Sequence, residues 1–154
     1  MARRKNCDAG RPSAAGSGQV RVRVRVRAAS VGGMDRLTTR GRRQFRPPLP
    51  CLPGADAAGE NEAPGEGAEG LEPGGRVCCS GWRGALAERT MIDAHRMATL
   101  PDAVENGVAS MILRNGLAAR PALADRAALQ PGTAMSVTGA AGGVGMARST
   151  PAAR

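Results

Sequence analysis

The clearest pattern in the chain is a strict alternation from Gln19 to Arg27, Q-V-R-V-R-V-R-V-R. Successive side chains of a strand point to opposite faces. Val20, Val22, Val24 and Val26 therefore share one face and the arginines the other. The pattern predicts a half-buried strand with a solvated arginine face. Further on, Pro47-Pro48-Leu49-Pro50-Cys51-Leu52-Pro53-Gly54 excludes helix and central strand, because proline donates no ladder hydrogen bond. It predicts a rigid connection within a domain. Positions 54–75 read as an acidic linker, although glycines at 59, 65, 67, 70, 74 and 75 fall where short strands would turn. Gly84 to Met91 predicts another strand, and Leu100-Pro101-Asp102 a turn. Val104–Arg114 and Gly116–Leu129 have helical character, with Pro121 beginning the second helix or kinking it. Gln130-Pro131-Gly132 then turns into a β-prone run, Met135 to Thr138. Short β-elements followed by helices, a strand and a glycine turn predict a β-rich domain leading into an α/β domain.

Composition restricts the core that these elements can bury. The 154 residues include one Phe (Phe45), one Trp (Trp82) and no Tyr. The 22 glycines and 11 prolines lean towards loops or disorder, and positions 1–18 read as a disordered basic lead. The net charge of +9 is carried almost wholly by arginine, Lys5 being the only lysine. Only Asp8 and Asp35 oppose the bases of positions 1–46, whereas positions 54–75 hold six carboxylates and no base. An Arg-rich, disordered polyanion-binding protein is thus one reading, by counterion release from nucleic acid or an acidic membrane surface. The lack of aromatic stacking platforms opposes it, and no specific nucleic-acid partner is expected.

Cys7, Cys51, Cys78, Cys79 and His95 show no metal-ligand spacing, so no metal site is expected. His95 reads as a surface residue. Adjacent Cys78 and Cys79 are poorly placed to bridge each other, and free thiols fit a cytoplasmic setting. No apolar run approaches the roughly 20 residues of a membrane span, and no secretory leader is recognisable. No membrane partner is expected.

The stretch with most chemistry is Ser136-Val137-Thr138-Gly139-Ala140-Ala141-Gly142-Gly143-Val144-Gly145. Glycines at a strand-to-helix turn let the backbone approach a pyrophosphate, which the amides of the following helix start then meet. Against G-x-G-x-x-G the stretch gives Ala140-x-Gly142-x-x-Gly145. The candidate cofactor-binding residues are therefore Ala140, Ala141, Gly142, Gly143, Val144 and Gly145. Thr138-Gly139-x-x-x-Gly143-x-Gly145 also fits T-G-x-x-x-G-x-G of the short-chain dehydrogenases. That motif lies near their N-terminus and precedes a Tyr-x-x-x-Lys, whereas this chain has no tyrosine.

Several motifs in one collinear order carry a broader resemblance. Gln19 to Asp35 looks like an early catalytic-domain strand and its loop. Pro47 to Gly59 carries the element P-G-A-D-A-A-G. Gly70-Leu71-Glu72-Pro73-Gly74-Gly75-Arg76-Val77 resembles a G-x-x-x-G-D-R-V segment, and Gly84–Glu88, Leu100–Asp102, Asn115–Leu117 and Leu129–Gly132 follow in sequence. Over about positions 19–147 the chain resembles the medium-chain dehydrogenase/reductase superfamily, in its zinc-free quinone oxidoreductase branch.

The resemblance implies a GroES-like β-barrel catalytic domain over 19–110, then the start of a Rossmann dinucleotide-binding domain over 111–154. It implies NADPH as cofactor and hydride transfer to a quinone or activated alkene, with the cofactor carrying the chemistry. The family is often homodimeric, which is not expected of this chain. Zinc-dependent relatives place a cysteine near Gly32 and a histidine after Pro53-Gly54; here Gly32 and Ala55 stand there. The branch usually has asparagine at Gly32, tyrosine near Arg43, threonine at Ala118 and aspartate at Gly75. Asn61 and Pro64 stand at barrel-core positions where apolar residues are expected. No catalytic side chain is assigned. With the helix after Gly145 meeting Pro151 and the chain ending at Arg154, the Rossmann part is expected to be truncated, partly disordered and inactive alone.

Overall fold

The computed structural model describes residues 20–63, 70–130 and 132–149. The predicted lead at 1–18 and Pro64 lie outside the described residues. The alternating stretch forms strand β1 (Arg21–Ala29), with Val22 and Val24 fully buried and Arg23, Arg25 and Arg27 exposed. Four further strands, β2 (Asp56–Ala63), β3 (Arg76–Ser80), β4 (Arg89–Asp93) and β5 (Met97–Thr99), join it in one antiparallel sheet. The order is β4-β1-β2-β3-β5. Val22 of β1 and Met97 of β5 pack into one cluster with Val77 of β3, although β2 and β3 lie between them. The sheet is therefore curled into half of a barrel.

Positions 56–63 are not a linker but the central strand, and their acidity has a physical cause. Glu62 sits across from the arginine face and meets Arg25 at 2.8 Å, Arg89 at 2.9 Å and Arg23 at 3.2 Å. Glu60 takes Arg27 through two hydrogen bonds of 3.0 Å. These exposed pairs add little stability each, but they neutralise the face that the alternation leaves outside. Gly59 lies mid-strand because a Cβ there would run into the Arg25 carbonyl oxygen, next to an irregularity between Val26 and Ala28. Such close approach is what an interior strand glycine commonly marks.

Asn61 is fully buried among these strands. Its Nδ2 donates to the carbonyls of Leu71 (3.0 Å) and Glu72 (3.1 Å), which pins the turn leading into β3. Oδ1 of Asn61 has no partner, so half of its amide remains uncompensated.

The core is built from small side chains. Ala57, Cys79, Ala85 and Ile92 form one cluster inside the curl, and Ala58, Cys78 and Ala109 form another on the opposite face. Cys78 and Cys79 thus point to opposite sides of β3, as strand geometry demands. Both are free thiols.

The strand expected over Gly84 to Met91 begins only at Arg89. Before it, the amides of Ala85 and Leu86 bond to the carbonyls of Gly54 (2.9 Å) and Pro53 (3.1 Å). This fastens the loop to the proline segment and takes it out of the ladder. The two expected helices are one, α2 (Asn106–Arg120), running through Gly116. Pro121 alters it without breaking it: Pro121–Arg126 continues as a π-helical turn, with the Ala127 amide bonded to the Ala122 carbonyl at 3.0 Å. A short helix that the pattern did not suggest, α1 (Gly33–Thr39), follows β1. Residues 133–137 join no sheet among the described residues, which corrects the expected strand at Met135–Thr138. A lone β-prone run has no ladder partner there. The glycine turn and helix α3 (Gly143–Ser149) follow it.

Candidate functional site

Two loops that the sequence singled out separately are held together by one carboxylate. Asp35 lies in the first turn of α1, and its Oδ2 accepts from the Gly32 amide at 2.9 Å. Its Oδ1 accepts from the Gly54 amide at 3.1 Å. Charge-assisted bonds of this kind are stronger than neutral ones. Gly54 has φ of +92°, and a Cβ there would stand 2.5 Å from the Leu86 amide nitrogen. The Pro53-Gly54 turn is therefore fixed both by its backbone and by its neighbours.

An open cleft of about 670 Å³ lies along this junction, lined by Val31, Gly32, Asp35, Arg36, Pro53 and Leu86, among others. Gly32 borders it directly, whereas Ala55, next to the Asp35-held Gly54, is buried. Neither Gly32 nor Ala55 carries a ligating atom, so these positions do not fit a zinc ion. Among the described residues no group of three or more His, Cys, Asp or Glu side chains could hold a metal. His95 is exposed. Arg43, where a tyrosine was the expected cleft residue, instead lies over the Trp82 ring at 5.3 Å from its centroid.

The second element is the glycine turn. Ala140, Ala141, Gly142 and Val144 are exposed, Gly143 is half-buried, and Gly145 is buried. Gly139 adopts φ of +65°, and its carbonyl accepts from the Gly142 amide at 2.9 Å. A Cβ on Gly145 would stand 2.8 Å from Ala140 Cα, and one on Gly143 would strike the Asn115 side chain. These two glycines serve packing, whereas Ala140–Gly142 leave main chain open to solvent. That exposed bend fits a pyrophosphate, which needs close approach to backbone and no intervening side chain.

Helix α2 attaches to the half-barrel and to the glycine turn through consecutive residues. Nη2 of Arg114 donates to the Gly81 carbonyl at 2.8 Å and to Ser80 Oγ at 3.2 Å. Its Nε lies 3.2 Å from Asp56 Oδ1. Burial pushes the Asp56 carboxyl up, opposed by the Ser80 hydrogen bond and the Arg114 charge. Asn115 donates to the Met111 carbonyl at 2.7 Å and abuts Gly143. Arg76 arranges the start of the same helix, donating to the carbonyls of Pro101 (3.1 Å) and Asp102 (3.0 Å).

No activated nucleophile is present among these groups. Burial pushes the Cys79 thiol up to about 12 and raises Cys78 as well, so neither forms a thiolate near neutrality. On the outer face, hydrogen bonds from Arg89 and Arg25 lower the Glu62 carboxyl to about 2. The sequence reading missed Asp35, Arg114 and Asn115. Only Asp35 left a signal, as the single acid between Ala9 and Gly54 in an otherwise basic stretch.

Residues 17–102 match the alcohol dehydrogenase GroES-like domain. The human synaptic vesicle membrane protein VAT-1 homolog is 35% identical over 136 residues, 88% of this chain and 34% of that protein. A probable oxidoreductase from Mycobacterium abscessus superposes with a TM-score of 0.78 at 33% identity, covering 88% of this chain and 44% of that one. The quinone oxidoreductase from Thermus thermophilus, solved also with NADPH, gives a TM-score of 0.68 at 26% identity, covering 83% and 39%. The chain spans about a third of the length of the curated relative it matches.

Proposed function

The chain belongs to the family of alcohol dehydrogenase GroES-like domains, within the medium-chain dehydrogenase/reductase superfamily, and on that premise we propose that it serves zinc-independent, NADPH-dependent hydride transfer to a quinone or activated alkene. The observation that carries this reading is the Asp35-held junction, which puts Gly32 at an open cleft and leaves Ala55, next to the held Gly54, buried, so that neither position offers zinc a ligand. The barrel side would bind and orient the acceptor. Ala140, Ala141 and Gly142 would form the bend that faces the cofactor pyrophosphate, with Gly143, Val144 and Gly145 supporting it from the first turn of α3. NADPH, when bound, supplies the hydride; the protein supplies orientation and excludes water.

The short-chain alternative loses support because the matched residues lie in the half-barrel, ahead of the glycine turn. The polyanion reading of the β1 arginines loses support because Glu60 and Glu62 occupy that face.

The test is an NADPH titration of the 154-residue protein, followed by cofactor fluorescence and thermal shift, together with a quinone reduction assay. Because residues 133–137 have no neighbouring strand among the described residues, weak or no turnover is expected of this polypeptide alone. Saturable NADPH binding that Gly142→Asp abolishes supports the assignment of the turn. Binding untouched by that substitution overturns it, and rapid quinone reduction overturns the expected inactivity.

A further inference from the structure

The charges of this chain divide into two classes. The β1 arginines all have carboxylate partners: Arg21 meets Asp93, Arg27 meets Glu60, and Arg23 and Arg25 meet Glu62. The five arginines between Arg36 and Arg46 have none among the described residues. The one acid among their neighbours, Asp35, is engaged by the Gly32 and Gly54 amides. Exposed apolar side chains accompany these cations. Phe45 is 65% exposed, Leu49 85% and Trp82 60%, although the whole chain has only two aromatic residues.

Trp82 belongs to the same patch, because Arg43 of the basic loop lies over its ring. Arg96, which also approaches Asp93 at 3.8 Å, lies over the ring as well, 5.6 Å from the centroid. Guanidinium groups stacked on the indole occupy the surface a nucleic-acid base would need. Nε of Arg96 is buried, whereas Arg43 has no carboxylate partner among the described residues and is the one of the two placed to meet phosphate oxygens. Exposed Leu49 and Phe45 gain nothing from a phosphodiester backbone, but they gain from the acyl boundary of a bilayer. No helix among the described residues is long and apolar enough to cross a membrane.

We propose that the patch formed by the Arg36–Arg46 segment, Leu49 and Trp82 is a peripheral docking surface for an anionic phospholipid bilayer. The arginines meet headgroup phosphates, and Trp82, Phe45 and Leu49 enter the interface. The expectation of no membrane partner rests on the lack of a membrane-spanning apolar run, a criterion that does not address a peripheral surface.

The experiment uses Trp82 as the probe, since it is the only tryptophan. The 154-residue protein is mixed with vesicles of phosphatidylcholine alone, or of phosphatidylcholine with phosphatidylserine, and followed by co-sedimentation and Trp emission. Expected are sedimentation and a blue shift with the anionic vesicles only. Arg42→Gln with Arg46→Gln should weaken partitioning about 25-fold, at about a factor of five for each basic side chain. Arg120→Gln with Arg126→Gln removes the same charge elsewhere and should leave it unchanged. Equal losses in both pairs would reduce the effect to net charge and overturn the proposal. An absent blue shift in the unaltered protein would overturn it without any variant. Single-stranded poly(U) that quenches Trp82 and displaces the vesicles at equal phosphate would assign the patch to nucleic acid instead.

Discussion

Asp35 and Gly54 are joined across nineteen positions of sequence by one hydrogen bond of 3.1 Å, from the glycine amide to the carboxylate. The same carboxylate holds Gly32. The shape of the cleft therefore depends on a side chain whose charge is consumed in positioning backbone. Asp35→Ala is expected to destabilise the protein by roughly 2 kcal/mol, the scale of losing a charged hydrogen-bond acceptor. Asp35→Asn, which keeps one acceptor oxygen, should cost less. Denaturant midpoints measure the difference, and faster hydrogen exchange at the Gly54 amide would localise it.

Gly59→Ala should be among the most damaging single substitutions. The added methyl meets the Arg25 carbonyl, which belongs to the neighbouring strand and cannot move alone. A loss of about 3 kcal/mol, at the upper end of overpacking effects, is expected in thermal unfolding. An unchanged melting temperature would show that β1 and β2 can separate there.

Acid sensitivity should centre on Glu62. Its folded carboxyl is lowered to about 2 from an ordinary value near 4.5. The contribution to stability is therefore fully present above about 4.5 and is lost as pH falls towards 2. Melting curves between these limits should drop less steeply in Glu62→Gln than in the unaltered protein. Identical slopes would mean that the arginine ladder does not persist in solution.

Gly143 and Asn115 should be energetically coupled. Gly143→Ala places a methyl against the Asn115 amide and is expected to cost at least about 1 kcal/mol, whereas Gly143→Ala with Asn115→Ala should recover much of it. A double-mutant cycle on unfolding free energies gives the coupling. Additive effects would mean that the turn relaxes away from α2.

Thiol chemistry should separate Cys51 from the pair on β3. Cys51 is half-buried, whereas Cys78 and Cys79 are buried with raised thiols. Iodoacetamide at neutral pH, read by mass spectrometry, should label Cys51 well before Cys79.

How much of this was visible in the sequence follows from how local each cause is. The β1 alternation is a period-two signal, and Val22 and Val24 lie where it puts them. The central strand escaped because its inner face is alanine, glycine and asparagine, and its acids answer arginines at least 27 residues away. Strand β4 starts late because Ala85 and Leu86 bond to the Pro53-Gly54 turn, a non-local pairing that no spacing reveals. The glycines at 143 and 145, which lie in the first turn of α3, were legible as part of a strand-to-helix turn. That they face Asn115 and Ala140 was not, since that depends on where α2 comes to rest.

Consecutive positions on an α-helix diverge by about 100°. Arg114 and Asn115 use that divergence to grip the half-barrel with one side chain and support the glycine turn with the next. Helix α2 thereby acts as a fixed angle bracket. Rolling it to improve one attachment necessarily worsens the other, so the orientation between the half-barrel and the glycine turn is set by the rotational phase of a single helix.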